Sequence, residues 1–332
     1  MRTTLRWGMV GLGRIAHTFA RDLARFQNAS LVAVGSRSRE NARAFAAEHG
    51  ARWAYDSYEA VYTHPDVDIV YVATPHHQHA ELSRAALRAG KHVLCEKPAA
   101  INAAQMTSII SAANEADRFF MEALWSRFNP VLAEVIQRTR DGQIGPVRFI
   151  EADFSFRLQA SEGSRTHDKA QGGGALLDVG IYPIFLAYTL LGVPETVQAS
   201  MIRHPSGVDE QVAVIMAYEK ALATAYAGFA SPSGLEATIS GEEGRFVVHP
   251  LWHEAESYTY FRNGEWEGER LTRPKTGHGL WHEIAACQTA IGRGETECAL
   301  WTHQDALNLI TILDRVRDAI GLVYPSDIGG ST

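Results

Sequence analysis

The stretch Leu5-Arg6-Trp7-Gly8-Met9-Val10-Gly11-Leu12-Gly13-Arg14-Ile15-Ala16 decides the fold. A strand-like apolar run leads into Gly11-x-Gly13-x-x-Ala16, and a helical pattern follows. Gly11 permits a tight turn, Gly13 lets a pyrophosphate approach the backbone, and Ala16 lets the helix pack closely on the strand. The first helical residues, Arg14 and Ile15, then turn unpaired N–H groups and the positive dipole end toward the phosphates. Glycine turns are common in isolation. Here strand, turn, helix and a second strand at Leu31–Gly35 come in the order of a dinucleotide-binding unit.

Outward from that turn the pattern continues to alternate. Strands are expected at 67–73, 91–95 and 119–122, and helices at 40–49 and 80–89, the latter ending at Gly90. Such alternation implies a doubly wound parallel sheet covered on both faces, with ligands beyond the carboxyl ends of the strands. After Gly145-Pro146 the character changes. Strand-like runs at 147–156, 196–202, 211–218, 221–229, 235–240 and 244–249 follow one another closely, as in a large, mostly antiparallel open sheet. Two late helices are expected, at 280–292 and 303–321. The fold class is therefore α/β plus α+β. Residues 1–124 form a Rossmann domain, and residues 125–332 a substrate and oligomerisation domain whose last helices can pack back on the first. Both residue sets of the strand at 211–218 are apolar, so both faces of the second sheet need cover. A second subunit or the long loop at 253–275 can supply it.

Composition narrows the function. The chain has 332 residues, 46% hydrophobic and 21% charged, with a net charge of −7, which disfavours a general nucleic-acid binder. No uninterrupted apolar run is long enough for a membrane span, and the early strand leaves no room for a signal peptide. Cys95, Cys287 and Cys298 are too few and too scattered for a disulfide framework. These features fit a cytoplasmic enzyme with no membrane or nucleic-acid partner.

The second strand ends Gly35-Ser36-Arg37-Ser38-Arg39, without the acid that would hold a ribose 2′-OH. Ser36, Arg37 and Arg39 suit a 2′-phosphate, so NADP is favoured and NAD remains possible. Arg37 and Arg39 also make sense as solvated charges at a helix start, and Arg37 as a residue stacked on adenine. Three further segments carry chemistry: Thr74-Pro75-His76-His77-Gln78-His79, Cys95-Glu96-Lys97-Pro98, and Gly172-Gly173-Gly174-Ala175-Leu176-Leu177-Asp178-Val179-Gly180-Ile181-Tyr182. Lys97 stands at a strand end, where it can reach the nicotinamide, and Pro98 admits a cis bond. Asp178 and Tyr182 are four apart, one face of a helix. Each has a structural alternative: Lys97 at the surface, Asp178 as a cap, Tyr182 in the core. Histidines 76, 77 and 79 lack an acidic partner at useful spacing, so no metal is expected there. His79 suits the nicotinamide ribose or a helix cap, and His76 the substrate. Trp125, Arg127, Phe154, Phe156, Trp252 and His282 are candidates for lining the cleft, Trp125 and Arg127 on its cofactor side.

Taken together, these motifs resemble the Gfo/Idh/MocA oxidoreductases over nearly the whole chain. Met121-Glu122-Ala123-Leu124-Trp125-Ser126-Arg127-Phe128-Asn129-Pro130 and Tyr182 are similar to the branch of dimeric dihydrodiol dehydrogenases and NADP-dependent xylose dehydrogenases. Most of the wider family carries histidine where Tyr182 stands. The resemblance implies hydride transfer between a nicotinamide and a secondary or anomeric alcohol of a sugar, cyclic polyol or trans-dihydrodiol. It also implies Lys97 on the reacting oxygen, Asp178 orienting substrate hydroxyls, Tyr182 as acid/base, Thr74, Pro75, His79 and Glu96 around the cofactor, and a dimer or tetramer built through the second sheet. A cationic lysine beside a tyrosine favours the phenolate, so Lys97 and Tyr182 can share one proton. The rival readings are an NAD-dependent inositol or sugar dehydrogenase and a non-catalytic dinucleotide-binding regulator.

Overall fold

The computed structural model describes residues 4–159 and 164–328. The chain divides into two compact units, Met1–Trp125 with Thr276–Leu307, and Ser126–Lys275 with Asn308–Thr332.

In the first unit β1 (Leu5–Val10), β2 (Ala29–Gly35), β3 (Trp53–Tyr55), β4 (Ile69–Val72), β5 (His92–Glu96) and β6 (Phe120–Ala123) form one sheet in the order β3-β2-β1-β4-β5-β6. Every neighbouring pair is parallel. The order reverses between β1 and β4, and doubly wound sheets bind ligands at that switch point. All four residues of β4 are buried, as expected of a parallel strand covered on both faces. The helices are α1 (Arg14–Leu23), α2 (Arg39–His49), α3 (Glu59–Tyr62), α4 (His76–Arg88) and α5 (Ala103–Ala116). Phe19 of α1 stacks on Tyr71 of β4 at 3.7 Å between centroids and is fully buried. That burial, about 2 kcal/mol, anchors α1 on the sheet. Local signals set the boundaries: the Ser38 hydroxyl caps α2 on the Asn41 N–H, and Gly50, at φ 74°, ends it.

In the second unit α6 (Pro130–Arg140) and α7 (Ile181–Leu191) accompany an eight-stranded sheet. Its strands are β7 (Val147–Ser155), β8 (Thr196–Arg203), β9 (Asp209–Ala217), β10 (Leu222–Gly228), β11 (Ala237–Gly241), β12 (Gly244–Val248), β13 (Ser257–Arg262) and β14 (Glu269–Thr272). The order is β14-β13-β12-β11-β7-β10-β9-β8, antiparallel throughout except for the parallel pair β7–β10. The expected loop at 253–275 instead holds β13 and β14, which extend the sheet and do not fold over its face. Val212, Val214 and Met216 of β9 are buried, whereas Ala213 and Ile215 are exposed. The open face is less apolar than expected, because β7, β8 and β10 add Glu151, Gln198, Ser200 and Thr224 to it. Two late helices, α8 (Trp281–Gly292) and α9 (His303–Ile320), start and end within a residue or two of expectation.

By length and composition the helical stretch Lys169–Leu191 is apolar enough to cross a membrane, although it begins at Lys169 and Asp178 interrupts it. Of its most apolar window 78% is buried inside the protein, which makes it a core helix. Cys95, Cys287 and Cys298 are all free and buried.

Candidate active site

The dinucleotide turn is built by exclusion. Gly11 has φ +85°, and a β-carbon there would lie 2.5 Å from the Ala73 carbonyl carbon and 2.6 Å from the Thr74 nitrogen. Only glycine lets the β1 turn pass the end of β4 at this distance. A β-carbon on Gly13 would meet nothing within 4 Å, so its bare backbone fronts open space. Gly13 is the N-cap of α1, offers no side-chain cap, and no acid occupies the first turn with Arg14 and Ile15. Unpaired N–H groups, the helix dipole and this opening fit a pyrophosphate. At the tip of β2 the Ser36 hydroxyl accepts the Ser38 N–H at 3.2 Å, and Arg37 is exposed. The Arg39 guanidinium lies 3.9 Å from the Asp56 carboxylate.

Beyond β4 and β5 the chain fixes Lys97 from two sides. The Lys97–Pro98 bond is cis. His79, 1% exposed, presents Nδ1 to the Pro98 carbonyl at 2.8 Å and Nε2 to the Thr74 carbonyl at 2.6 Å. Two N–H donors satisfy this geometry. His79 was expected near the ribose or at a helix cap; these bonds make it a tie between the loops after β4 and β5. His76, also buried, has its ring 5.6 Å from that of His79. Glu96 is buried and accepts the Tyr71 hydroxyl at 2.5 Å. On the other side Glu122 accepts the Ala99 N–H at 2.9 Å and the Trp301 indole N–H at 3.2 Å. Burial pushes the Glu122 carboxyl up to about 7, although these two donors and the Lys97 charge favour its ionised form.

His282 does not join this group. Asp22, fully buried near the C-terminal end of α1, accepts the N–H groups of His278, Leu280 and Trp281 at 2.8, 3.0 and 3.1 Å and so caps α8. His282 follows that cap, about 15 Å along α1 from the glycine turn. Its ring nitrogen Nε2 accepts the Thr276 N–H at 3.4 Å.

The second unit organises Asp178 and Tyr182. A π-helical turn, Leu176–Gly180, precedes α7 and carries Asp178; such turns are frequent at functional sites. Two of the three glycines before it, Gly173 and Gly174, are packing positions. A β-carbon on Gly173 would lie 2.5 Å from the Arg165 carbonyl, and one on Gly174, at φ +117°, would collide with the Asp209 carboxylate. Asp209 is fully buried and accepts the Leu176 N–H at 2.5 Å. Burial pushes its carboxyl up to about 7 against the backbone N–H groups that favour the charged form. The Tyr324 hydroxyl donates to the Gly173 carbonyl at 2.7 Å.

Around the helix start the Arg165 guanidinium donates to Asp178 at 3.1 Å, and the Tyr182 ring lies 5.4 Å from Phe154 and 5.5 Å from His253. Phe154 and His253 stack at 4.1 Å, and Phe156 stands 6.1 Å beyond. Ser126 and Asn129 fix the His253 turn, donating to the His253 and Ala255 carbonyls at 2.5 and 3.0 Å. Trp252, expected to line the cleft, is fully buried, and its indole N–H donates to the Asp153 carbonyl at 2.7 Å. Trp125, half-buried, and Arg127, buried, sit in the 3-10 turn Trp125–Phe128. Arg165, His253, Asp209 and Glu122 were not singled out from sequence. Of the loop at 157–171, residues 160–163 lie outside the described residues.

Comparison with known proteins agrees with this construction. Residues 5–124 match the oxidoreductase family with an NAD-binding Rossmann fold, and residues 132–247 match the GFO/IDH/MocA C-terminal domain. The chain belongs to the Gfo/Idh/MocA oxidoreductases and is a dehydrogenase with a nicotinamide-dinucleotide-binding fold. It is 34% identical over 336 residues to a trans-1,2-dihydrobenzene-1,2-diol dehydrogenase of Danio rerio, covering 97% of this chain and 99% of that one. Its identity to the enzyme of the same name from Xenopus laevis is 32%, covering 96% and 99%. Among solved structures, the aldose-aldose oxidoreductase from Caulobacter crescentus complexed with glycerol superposes with a TM-score of 0.86 at 26% identity, covering 95% and 97%.

Proposed function

We propose that this chain is an NADP-dependent dehydrogenase that moves a hydride between the nicotinamide and a secondary or anomeric alcohol of a sugar, cyclic polyol or trans-dihydrodiol. The observation that carries this reading is the Lys97 loop, held by His79 on one side and Glu122 on the other at the carboxyl end of β5. The names of the dihydrodiol and aldose relatives support the substrate class.

Gly11, Gly13 and the uncapped start of α1 suit the pyrophosphate, and Ser36, Arg37 and Arg39 suit a 2′-phosphate. When bound, the cofactor supplies or accepts the hydride at the nicotinamide ring. Lys97 holds the reacting oxygen and steadies the charge that develops there. Tyr182 takes up or returns the alcohol proton. Asp178, oriented by Arg165, holds a neighbouring hydroxyl, and the Phe154–His253 stack offers an apolar face to the substrate ring. His76 contacts substrate, and Thr74, Pro75, Glu96, Trp125 and Arg127 belong to the cofactor side. The open face of the second sheet around Ala213 and Ile215 is read as the contact between copies; light scattering tests for the dimer or tetramer.

The test is the absorbance of reduced nicotinamide with purified protein, NADP or NAD, and a panel of xylose, glucose, inositol and trans-dihydrodiols. Reduction of NADP by a panel member supports the reading. A preference for NAD, or cofactor binding without turnover on any panel member, overturns it in favour of the corresponding rival.

A further inference from the structure

On α1, one turn beyond the dinucleotide helix start, stands His17; Glu48 and His49 end α2. We propose that these three side chains form a divalent transition-metal site, suited to zinc, that clasps α1 to the end of α2. No step of the chemistry described above uses them.

Three observations carry the assignment. The donor atoms already cluster: His17 Nδ1 lies 2.8 Å from His49 Nε2 and 3.4 Å from Glu48 Oε2, and His49 Nε2 lies 3.3 Å from the other Glu48 oxygen, Oε1. Zinc–ligand bonds of about 2.05 Å at tetrahedral angles put donors about 3.3 Å apart. Each imidazole is at about this spacing from one Glu48 oxygen, so a turn of the half-exposed carboxylate brings a single oxygen to both, and the imidazole pair opens by about half an ångström as a metal replaces the shared proton. The donor set, two imidazoles and one carboxylate, is one that zinc takes in three-ligand sites, with water in the fourth position. Both imidazoles are also braced by one side chain, Phe45, whose ring lies 4.6 Å from His17 and 4.4 Å from His49. Supported donors lose less freedom on binding than free surface histidines.

Arg21 opposes the site, with its guanidinium 3.5 Å from Glu48 Oε1. Its side chain is 53% exposed and can turn to solvent, so it weakens the site without blocking it. A bound metal joins two helices that follow β1 and β2. By mass action, metal bound to the native state raises thermal stability.

Tag-free full-length protein is stripped with a chelator and titrated with Zn²⁺ by calorimetry, then with Co²⁺ for the visible absorption of a four-coordinate centre. The expected result is one equivalent bound with a Kd of about 10 μM or tighter, and a higher Tm. His49→Ala and Glu48→Gln each weaken binding at least about tenfold, and Arg21→Ala tightens it a few-fold. His17→Gln, which keeps a side chain over Phe45, serves as the second variant should His49→Ala misfold. His204→Ala removes another close histidine pair, His167 and His204, stacked at 4.0 Å, and leaves binding unchanged. Absence of binding, or binding retained by the His49 and His17 variants, overturns the proposal.

Discussion

The Asp209 carboxylate accepts the backbone N–H of Leu176 at 2.5 Å, and it occupies the space a β-carbon on Gly174 would need. A strand residue thus holds the start of the helix that presents Asp178 and Tyr182. Its carboxyl, with a pKa of about 7, is protonated in the fold at pH values where a free aspartate is ionised. The native state therefore binds more protons than the unfolded state between about pH 4 and 7. The stability linked to this group is complete below the unfolded value and is lost as pH rises through about 7. Asp209→Asn, which keeps an acceptor for Leu176, should flatten the fall of Tm between about pH 4 and 7; an unchanged slope would sink the assignment. Asp209→Ala should cost about 1–2 kcal/mol and reduce kcat more than it raises the KM for cofactor.

Gly13 and Gly174 should respond oppositely to the same substitution. Gly13→Ala adds a methyl to open space, so Tm should hold while NADPH affinity falls at least about tenfold. Gly174→Ala meets Asp209 at a positive φ and should lose at least about 2 kcal/mol of stability. Thermal melts and fluorescence titration of the two variants check both halves.

Lys97→Met should lower kcat by several powers of ten, an order expected from removing a group that acts only in the transition state, while NADPH binding stays measurable. Glu122→Gln keeps an acceptor for Ala99 and removes the ionisable group. It should change the pH profile of kcat/KM near pH 7 and leave cofactor affinity within about twofold. Wild-type turnover in the Met variant would end the assignment of Lys97.

Arg37→Ala should raise the KM for NADP at least about tenfold and leave the KM for NAD nearly unchanged, because the guanidinium would meet only the 2′-phosphate. Parallel losses with both cofactors would instead mean that Arg37 stacks on adenine.

Elements with strong apolar patterning were legible in the sequence. The β4 run is buried at every position, and the glycine turn is where Gly11-x-Gly13-x-x-Ala16 places it. Short or exposed pieces were not. β3, Trp-Ala-Tyr, is apolar but too short to show a period, and β14, Glu-Arg-Leu-Thr, is exposed at three of four positions and carries little hydrophobic signal. Lys97, Asp178 and Tyr182 were chosen because each belongs to a motif, and their roles are those proposed above. Arg165 and His253 lie in aperiodic segments, and their value comes from tertiary contacts with Asp178 and Phe154. Trp252 was chosen by residue type, and it is fully buried against the Asp153 carbonyl.

β7 has one more consequence, for assembly. On one side of it, β8, β9 and β10 join as successive hairpin neighbours; on the other, β11 to β14 do the same. Each wing can form from nearby chain. β7 cannot, because Ile150 must find Ala223 on one side and Ile239 on the other, both far along the sequence. Distant pairings of this kind cost the most loop entropy and form slowly. The strand that carries Phe154 is thus a seam between two ready-made halves, and a chain stalled before closing it would hold secondary structure yet lack the Phe154–His253 stack.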